Sequence, residues 1–246
     1  MANRESTGYA GGGLRVSRNP LFAALAMAPL VAAAAGIVPD GGTATSVSIG
    51  VGGRQVVGLA PAVAGVSHNT YSSFNVSAAG ASLDNVGINA RTIVNQVTGT
   101  DRSLIEGNIA VLGSTRANVI LANPNGITVN GGSFTNTGHV VLSTGRVSFD
   151  DITLAPGVIR RDVVLDTDSG TIVVGPNGLS SALISLDLIA RNLRVEGPVN
   201  WICPCMTGHA VTLTLENLLA GETRVASSIS RRCADATDLP GAFQTS

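Results

Sequence analysis

The stretch NVILANPNGITVNGGSFTNTGHVVLSTG, residues 118–145, decides how this chain is read. It holds three short apolar runs: Val119-Ile120-Leu121, Ile127-Thr128-Val129 and Val140-Val141-Leu142. Between them lie turn formers, NPNG and then NGGSFTNTG. β-Branched runs this short, bounded by Asn, Pro and Gly, predict strands joined by tight corners. In NPNG, Pro124 presets φ at the first corner position, and Asn125 or Gly126 accepts the positive φ that a bend needs. Asn side chains bond nearby backbone groups and suit a corner whose backbone has no ladder partner.

Spacing extends this reading outward. Apolar runs similar to that at Val119 start at Val140, Val163 and Leu183, in steps of 21, 23 and 20 residues. A second series starts at Ile127, Val147, Ile172 and Leu193, in steps of 20, 25 and 21. Two interleaved series with one period of about 20 residues predict a solenoid, each coil stacked on the one before. The expected class is all-β, a right-handed parallel β-helix with N-terminal capping strands. The alternative is a β-sandwich, in which turns recur every 8–12 residues or so. The paired series, and the lack of any long strand free of Pro, favour the helix.

Three separated segments carry a resemblance: GVSHNTYSSFNV (65–76), NVILANPNGITVNG (118–131) and HVVLSTGRV (139–147). With IVPDGGTATSV (37–47) ahead of them, they resemble the N-terminal secretion domain of two-partner secretion exoproteins, the filamentous haemagglutinin family, over about residues 37–199. Many members carry a further NPNL motif upstream; here that region reads LDNVGINARTIVNQV, which places the chain in a divergent branch. The resemblance marks Asn123, Pro124, Asn125 and Gly126 as a structural and secretion motif, and His68, Asn69, Phe74 and Asn75 as family-like positions. It implies Sec export, capture by POTRA domains of an outer-membrane β-barrel transporter, and folding as a β-helix outside. The site of action would be the cell surface or medium, reached through the periplasm of a Gram-negative bacterium. Passengers of this kind serve adhesion, haemolysis or contact-dependent killing, and a host-surface receptor is left open as a further partner.

Composition agrees with a narrow solenoid core. Hydrophobic residues make up 44% of the 246 residues but aromatics only 3%. Stacked Val, Ile, Leu and Ala fill such a core without the large areas that aromatic rings bury. All 15 basic residues are Arg, and the net charge is −1. No basic patch points to nucleic acid.

Residues 1–35 read as a signal peptide. Arg4, Arg15 and Arg18 precede an apolar stretch from Leu21 to Ala35, and Ala33 and Ala35 suit cleavage near Gly36. The competing reading is a transmembrane helix, but the apolar run is short of the ~20 residues needed and Pro29 interrupts it. Residues 36–199 form the expected secretion domain. Val47-Ser48-Ile49 and Gln55-Val56-Val57 read as a hairpin or first capping strands, since a solenoid end exposes apolar rungs and unpaired edges. Residues 200–246 hold the only Trp and all three Cys, and the period fails there. They read as a divergent tail: a truncated or frameshifted member, or a stand-alone secretion domain with an unrelated end.

Candidate chemistry is sparse. His68 has no Cys, Asp or second His at ligand spacing, so a hydrogen-bonding role is expected. DTDSG (166–170) lacks the remaining ligands of a calcium loop and reads as an Asp-rich turn between coils. Cys203, Cys205 and Cys233 with His209 could hold zinc, but Cys-x-Cys is not the usual spacing; one disulfide with one free thiol is the other option. Asp150-Asp151 and Arg160-Arg161-Asp162 read as solvated corners, and GPNG (175–178) as a repeat of the corner chemistry. Polysaccharide-degrading enzymes also use β-helices, and Asp150, Asp151 and Asp166 would be their candidate carboxylates here. Nothing pairs these with a His, so the chain is not read as an enzyme and no cofactor or metal is assigned. A short stand-alone surface adhesin is the third alternative.

Overall fold

In a strand, successive side chains point to opposite faces. Val119 and Leu121 therefore share one face and Ile120 takes the other, and the same division recurs wherever these strands stack. A computed structural model describes residues 36–181, 185–202, 210–213 and 229–232. It is almost wholly β-structure, arranged as a parallel β-helix.

The N-terminal end is built first. Strand β1 (Val38–Pro39) runs antiparallel to β5, the first long strand (Val66–Ser73). Strands β2 (Ser46–Ile49) and β3 (Gln55–Gly58) form an antiparallel hairpin, and β4 (Ala62–Val63) pairs antiparallel with β5. These strands cover the first rung, as the capping expectation required.

Five coils then follow among the described residues. The first runs through β5 and β6 (Ala81–Asp84); the second through β7 (Thr92–Val97), β8 (Ser103–Ile105) and β9 (Asn108–Leu112). The third has β10 (Ala117–Ala122), β11 (Ile127–Val129) and β12 (Ser133–Thr135). The fourth opens with β13 (Thr137–Ser143), leaves through the hairpin β14 (Arg146–Ala155) and β15 (Val158–Asp166), and resumes at β16 (Thr171–Val174) and β17 (Leu179–Ser181). The fifth contains β18 (Ser185–Ile189), β19 (Asn192–Val195) and β20 (Val199–Ile202). Strands β21 (Ala210–Leu213) and β22 (Ile229–Arg232) turn back antiparallel on β20 and β18.

Like strands stack into three faces. The first is β5-β7-β10-β13-β18, the second β8-β11-β16-β19, and the third β3-β6-β9-β12, which β17-β20 continue through a bridge from Gly132 to Leu179. Register keeps inward rows in line: Ile93, Val119, Val140 and Leu186 on the first face, and Ile127, Ile172 and Leu193 on the second. With Ile109 and Phe134 of the third face they belong to one continuous core.

The β-helix was legible, but part of the repeat was not. Val163 and Val147 are not members of the two stacked series. Val163 faces Phe149, and Val147 faces Leu165, inside the antiparallel hairpin β14–β15. Val140 stacks directly on Leu186, 46 residues later, because the hairpin is inserted into the fourth coil. Leu183 lies outside the described residues. The hairpin strands span 10 and 9 residues without Pro, so long Pro-free strands do occur. Their apolar alternation imitates a coil strand because they too have a face to bury. Val147, Phe149, Val163 and Leu165 pack onto Val66, Val94, Ile120 and Val141 of the outer surface of the first face. A period of two in the sequence does not say which surface a strand will cover.

The same insertion corrects three local readings. Asp150-Asp151 and Arg160-Arg161-Asp162 lie on strands, not at corners. DTDSG is the return from the hairpin into its own coil, not a link between coils. GPNG does form a turn, Gly178 N–H donating to Gly175 O at 2.8 Å, but it sits at the next corner of the coil from NPNG. The leader 1–35, its cleavage point, Cys203, Cys205, His209 and Cys233 all lie outside the described residues.

Phe149 is one of the side chains that join the hairpin to the helix body. Its ring meets that of His68 in an edge-to-face arrangement, centroids 4.8 Å apart, and the Arg161 guanidinium lies over it, 5.2 Å from the centroid. Phe149→Ala is expected to cost about 2 kcal/mol in urea unfolding, roughly half the loss at a fully buried site, and to expose residues 146–166 to limited proteolysis while the coils remain resistant.

Candidate functional site

The motif residues gather on one column of corners, where each coil turns from the first face to the second. Asn123 is 0% exposed there. Its Nδ2 donates to Asp101 O at 2.9 Å and to Ser103 Oγ at 3.0 Å, both in the preceding coil. Its Oδ1 accepts from Asn125 N–H and from Asn125 Nδ2, each at 3.0 Å. Asn123 N–H donates to Ser143 O of the following coil at 2.9 Å, and Gly126 N–H closes the turn onto Asn123 O at 3.0 Å. Through its side chain and its backbone N–H together, Asn123 links three successive coils, and both polar atoms of its side chain are bonded.

Asn125 and Gly126 complete the corner. Asn125 Nδ2 donates to Gly99 O at 2.7 Å, and Arg102 Nε donates to Asn125 O at 3.2 Å. Gly126 has φ +117°, and a Cβ there would lie 2.7 Å from Arg102 Nε and 2.9 Å from Thr171 O. Both facts bar a branched residue. Pro124 needs no N–H at this turn, which leaves its missing donor without cost.

The second motif reaches the same column from the other side. Phe74 is buried against Tyr71, ring centroids 5.0 Å apart. Asn75 Oδ1 accepts from Leu104 N–H at 2.8 Å, and Asn75 Nδ2 donates to Ser73 Oγ at 3.1 Å. Residues 101–104 of the second coil are therefore held from below by Asn75 and from above by Asn123. Sequence reasoning placed both Asn residues in motifs but did not anticipate that they grip the same segment.

His68 and Asn69 do not join the corner. His68 is on the outer surface, its Nε2 within 2.8 Å of Gln96 Oε1. Asn69 faces inward and is 0% exposed. Its Oδ1 accepts from Ala60 N–H and Thr45 Oγ1, both at 2.9 Å, and its Nδ2 reaches Ser67 Oγ at 3.1 Å. Asn69 stacks on Asn95, which accepts from Tyr71 OH at 2.9 Å and donates to Ile120 O at 3.2 Å. Burial pushes the Tyr71 phenol well above its ordinary pKa and keeps it a neutral donor. The pair had a sequence signal: Asn69 and Asn95 sit at like positions in runs one coil apart.

Asp40 was not singled out from sequence as a holding residue. Its Oδ1 accepts from Thr70 Oγ1 at 2.5 Å and from Gly42 N–H at 2.7 Å, and its Oδ2 from Thr98 Oγ1 at 2.6 Å. It thus ties the N-terminal cap to the first two coils. Burial opposes the charge, but the Thr70, Thr98 and Gly42 bonds outweigh it and hold the pKa below 3.8.

The carboxylates weighed for catalysis are dispersed. Asp151 is gripped by Arg161, Nε to Oδ1 at 2.7 Å and Nη2 to Oδ2 at 2.6 Å, which lowers its pKa. Asp150 lies opposite Asp162, and Asp166 opposite Arg146. Among the described residues no three His, Cys, Asp or Glu side chains are grouped as metal ligands.

Two consequences are measurable. Asn123→Ala strips partners from buried groups of its own coil and the preceding one, and should cost about 2–3 kcal/mol in urea unfolding; Asn123→Asp should not rescue it, because it turns a second acceptor toward Asp101 O. For Asp40 the sign follows from its depressed pKa. Its contribution is complete above the ordinary value of 3.8 and is lost as pH falls through the lowered one. The stability difference between wild type and Asp40→Asn should therefore be constant near neutrality and vanish in acid.

The family described as "TPS secretion domain" matches residues 35–230. Filamentous hemagglutinin of Bordetella pertussis is 34% identical over 211 residues, 76% of this chain and 6% of its own length. The 16S rRNA endonuclease CdiA of Enterobacter cloacae is 35% identical over 198 residues, 70% of this chain and 6% of its length. This chain thus spans about 6% of the length of these curated relatives. The crystal structure of the filamentous hemagglutinin secretion domain superposes with a TM-score of 0.59 at 31% identity, covering 69% of this chain and 60% of that one.

Proposed function

This chain belongs to the TPS secretion domain family, and we propose that it targets an exoprotein to a partner outer-membrane β-barrel, whose POTRA domains capture it before it folds. Residues 1–35 serve as the Sec signal, cut near Gly36, and bring the chain to the periplasm of a Gram-negative bacterium. The chain then crosses the partner barrel and folds at the cell surface or in the medium.

The observation that carries this reading is the reach of the corner bonds. Asn123 binds Asp101 O 22 residues back, and Asn75 binds Leu104 N–H 29 residues ahead. No single coil can satisfy these groups alone. Parallel pairings of such separation form slowly, which suits a chain that must stay extended during transport. Unpaired strand edges in that extended state can add to a sheet of the transporter by backbone bonding. Stacking outside then buries the aliphatic rows and disfavours return.

The segment acts by being recognised and by starting the helix, not by catalysis. Asp151 is committed to Arg161, Asp150 lies opposite Asp162, and Asp166 lies opposite Arg146. The nuclease activity in the name of the CdiA relatives is theirs, and the match covers about 6% of that protein. An adhesive, haemolytic or toxic passenger activity, and any host-surface receptor, belong to the longer exoproteins of this kind.

The test is co-expression with the cognate transporter. Secreted wild type should begin within a few residues of Gly36 and resist protease. Asn123→Ala and Gly126→Val should each reduce the secreted, protease-resistant yield severalfold, whereas Asp151→Ala should leave it nearly unchanged. Equal secretion of both corner variants would defeat the structural assignment of NPNG.

A further inference from the structure

The hairpin β14–β15 is the one part of the described structure that the helix leaves half supported. Its sheet has two strands among the described residues, and a lone two-stranded ribbon is marginal in water. Only its base packs on the helix body. From residue 150 to 160 every position is exposed, on both faces of the ribbon. The ribbon also concentrates apolar exposure: Ile152, Leu154, Val158, Ile159 and Val164 are each 37–59% exposed. A long apolar edge of this kind is a pairing template unless something covers it.

The outward face of β15 reads Val158, Arg160, Asp162, Val164. This order is self-complementary when reversed. An antiparallel copy centred on Arg161 sets Val158 opposite Val164, Arg160 opposite Asp162, Asp162 opposite Arg160 and Val164 opposite Val158. That is the reciprocity a twofold contact demands. Arg161 meets its own copy at the axis, but its guanidinium is already held in a fork by Asp151 at 2.7 and 2.6 Å. Within one chain, Asp150 sits directly opposite Asp162, a repulsive pair. Arg160 alone bonds Asp162, at 2.9 Å. A second copy would bring a second Arg160 to the same carboxylate.

We propose that the outer edge of β15 is a self-recognition edge, which pairs antiparallel with the same strand of a second copy of this chain to give a four-stranded sheet. The occupant follows from charge order. A partner of uniform charge would repel either Arg160 or Asp162, whereas the chain's own strand satisfies both.

The test uses sedimentation velocity of the full chain over a concentration series, at low and high salt. Wild type should self-associate reversibly, and less so in high salt. Arg160→Asp and Asp162→Arg each set like charges across the axis twice, and each should weaken association about tenfold or more. An equimolar mixture of the two variants restores both opposite-charge pairs and should associate as wild type does. Loss of the bond between Arg160 and Asp162 within one chain is common to both variants and cannot produce that rescue. A wild-type chain that stays monomeric, whether or not another protein binds the edge, overturns the proposal. So does a mixture no tighter than its components.

Discussion

A parallel β-helix satisfies its backbone along the strands and endangers it at the corners. There the ladder stops, yet the chain is still buried between coils. Asn123 resolves this at the corner between the first and second faces, with two donors on the coil behind and its acceptor folded back on its own turn. Its own N–H goes forward to Ser143. Apolar residues cannot replace such a group, because each stripped partner would stay buried and unbonded. The aliphatic rows supply the larger share of the burial energy, but they fit many registers. The amides at this corner fit one.

How much of this was legible depended on whether the deciding contact was local. The NPNG corner was readable because Pro124 and Gly126 announce a turn through their own backbone chemistry. The second-face series survived at Ile127, Ile172 and Leu193 because an inward row repeats with the coil. The hairpin was misread because Val147, Phe149, Val163 and Leu165 obey the same alternation as a coil strand while covering an outer surface. That surface could itself have been suspected: Val94, Ile120 and Val141 are apolar at outward positions. Joint grip of residues 101–104 by Asn75 and Asn123 was beyond reach, since it depends on which coils lie next to each other.

The outer surface also explains why an inserted ribbon is tolerated inside a repeat. Leaving the fourth coil after Ser143 and returning by Gly170 preserves the stacking of β13 under β18 and of β11 under β16. Loop length costs little once the two ends are held together. The ribbon covers apolar side chains that would otherwise face water, so the insertion repairs the surface it interrupts.

The inner row led by Asn69 changes character along the axis. It reads Asn69, Asn95, Leu121, Leu142, Leu188. The two ends of the helix are therefore not equivalent as templates. Beyond Leu121 the row is aliphatic, and Leu142 and Leu188 set no polar demand on the side chain stacked next to them. At Asn69 and Asn95 the row instead buries amides that need partners, as the Tyr71 hydroxyl and the Ile120 carbonyl supply for Asn95. Alignment is thus fixed by buried amides, Asn69 and Asn95 in the first two coils and Asn123 at the corner of the third. Substitution in the amide-bearing coils therefore threatens register, whereas substitution in the later aliphatic layers threatens mainly packing.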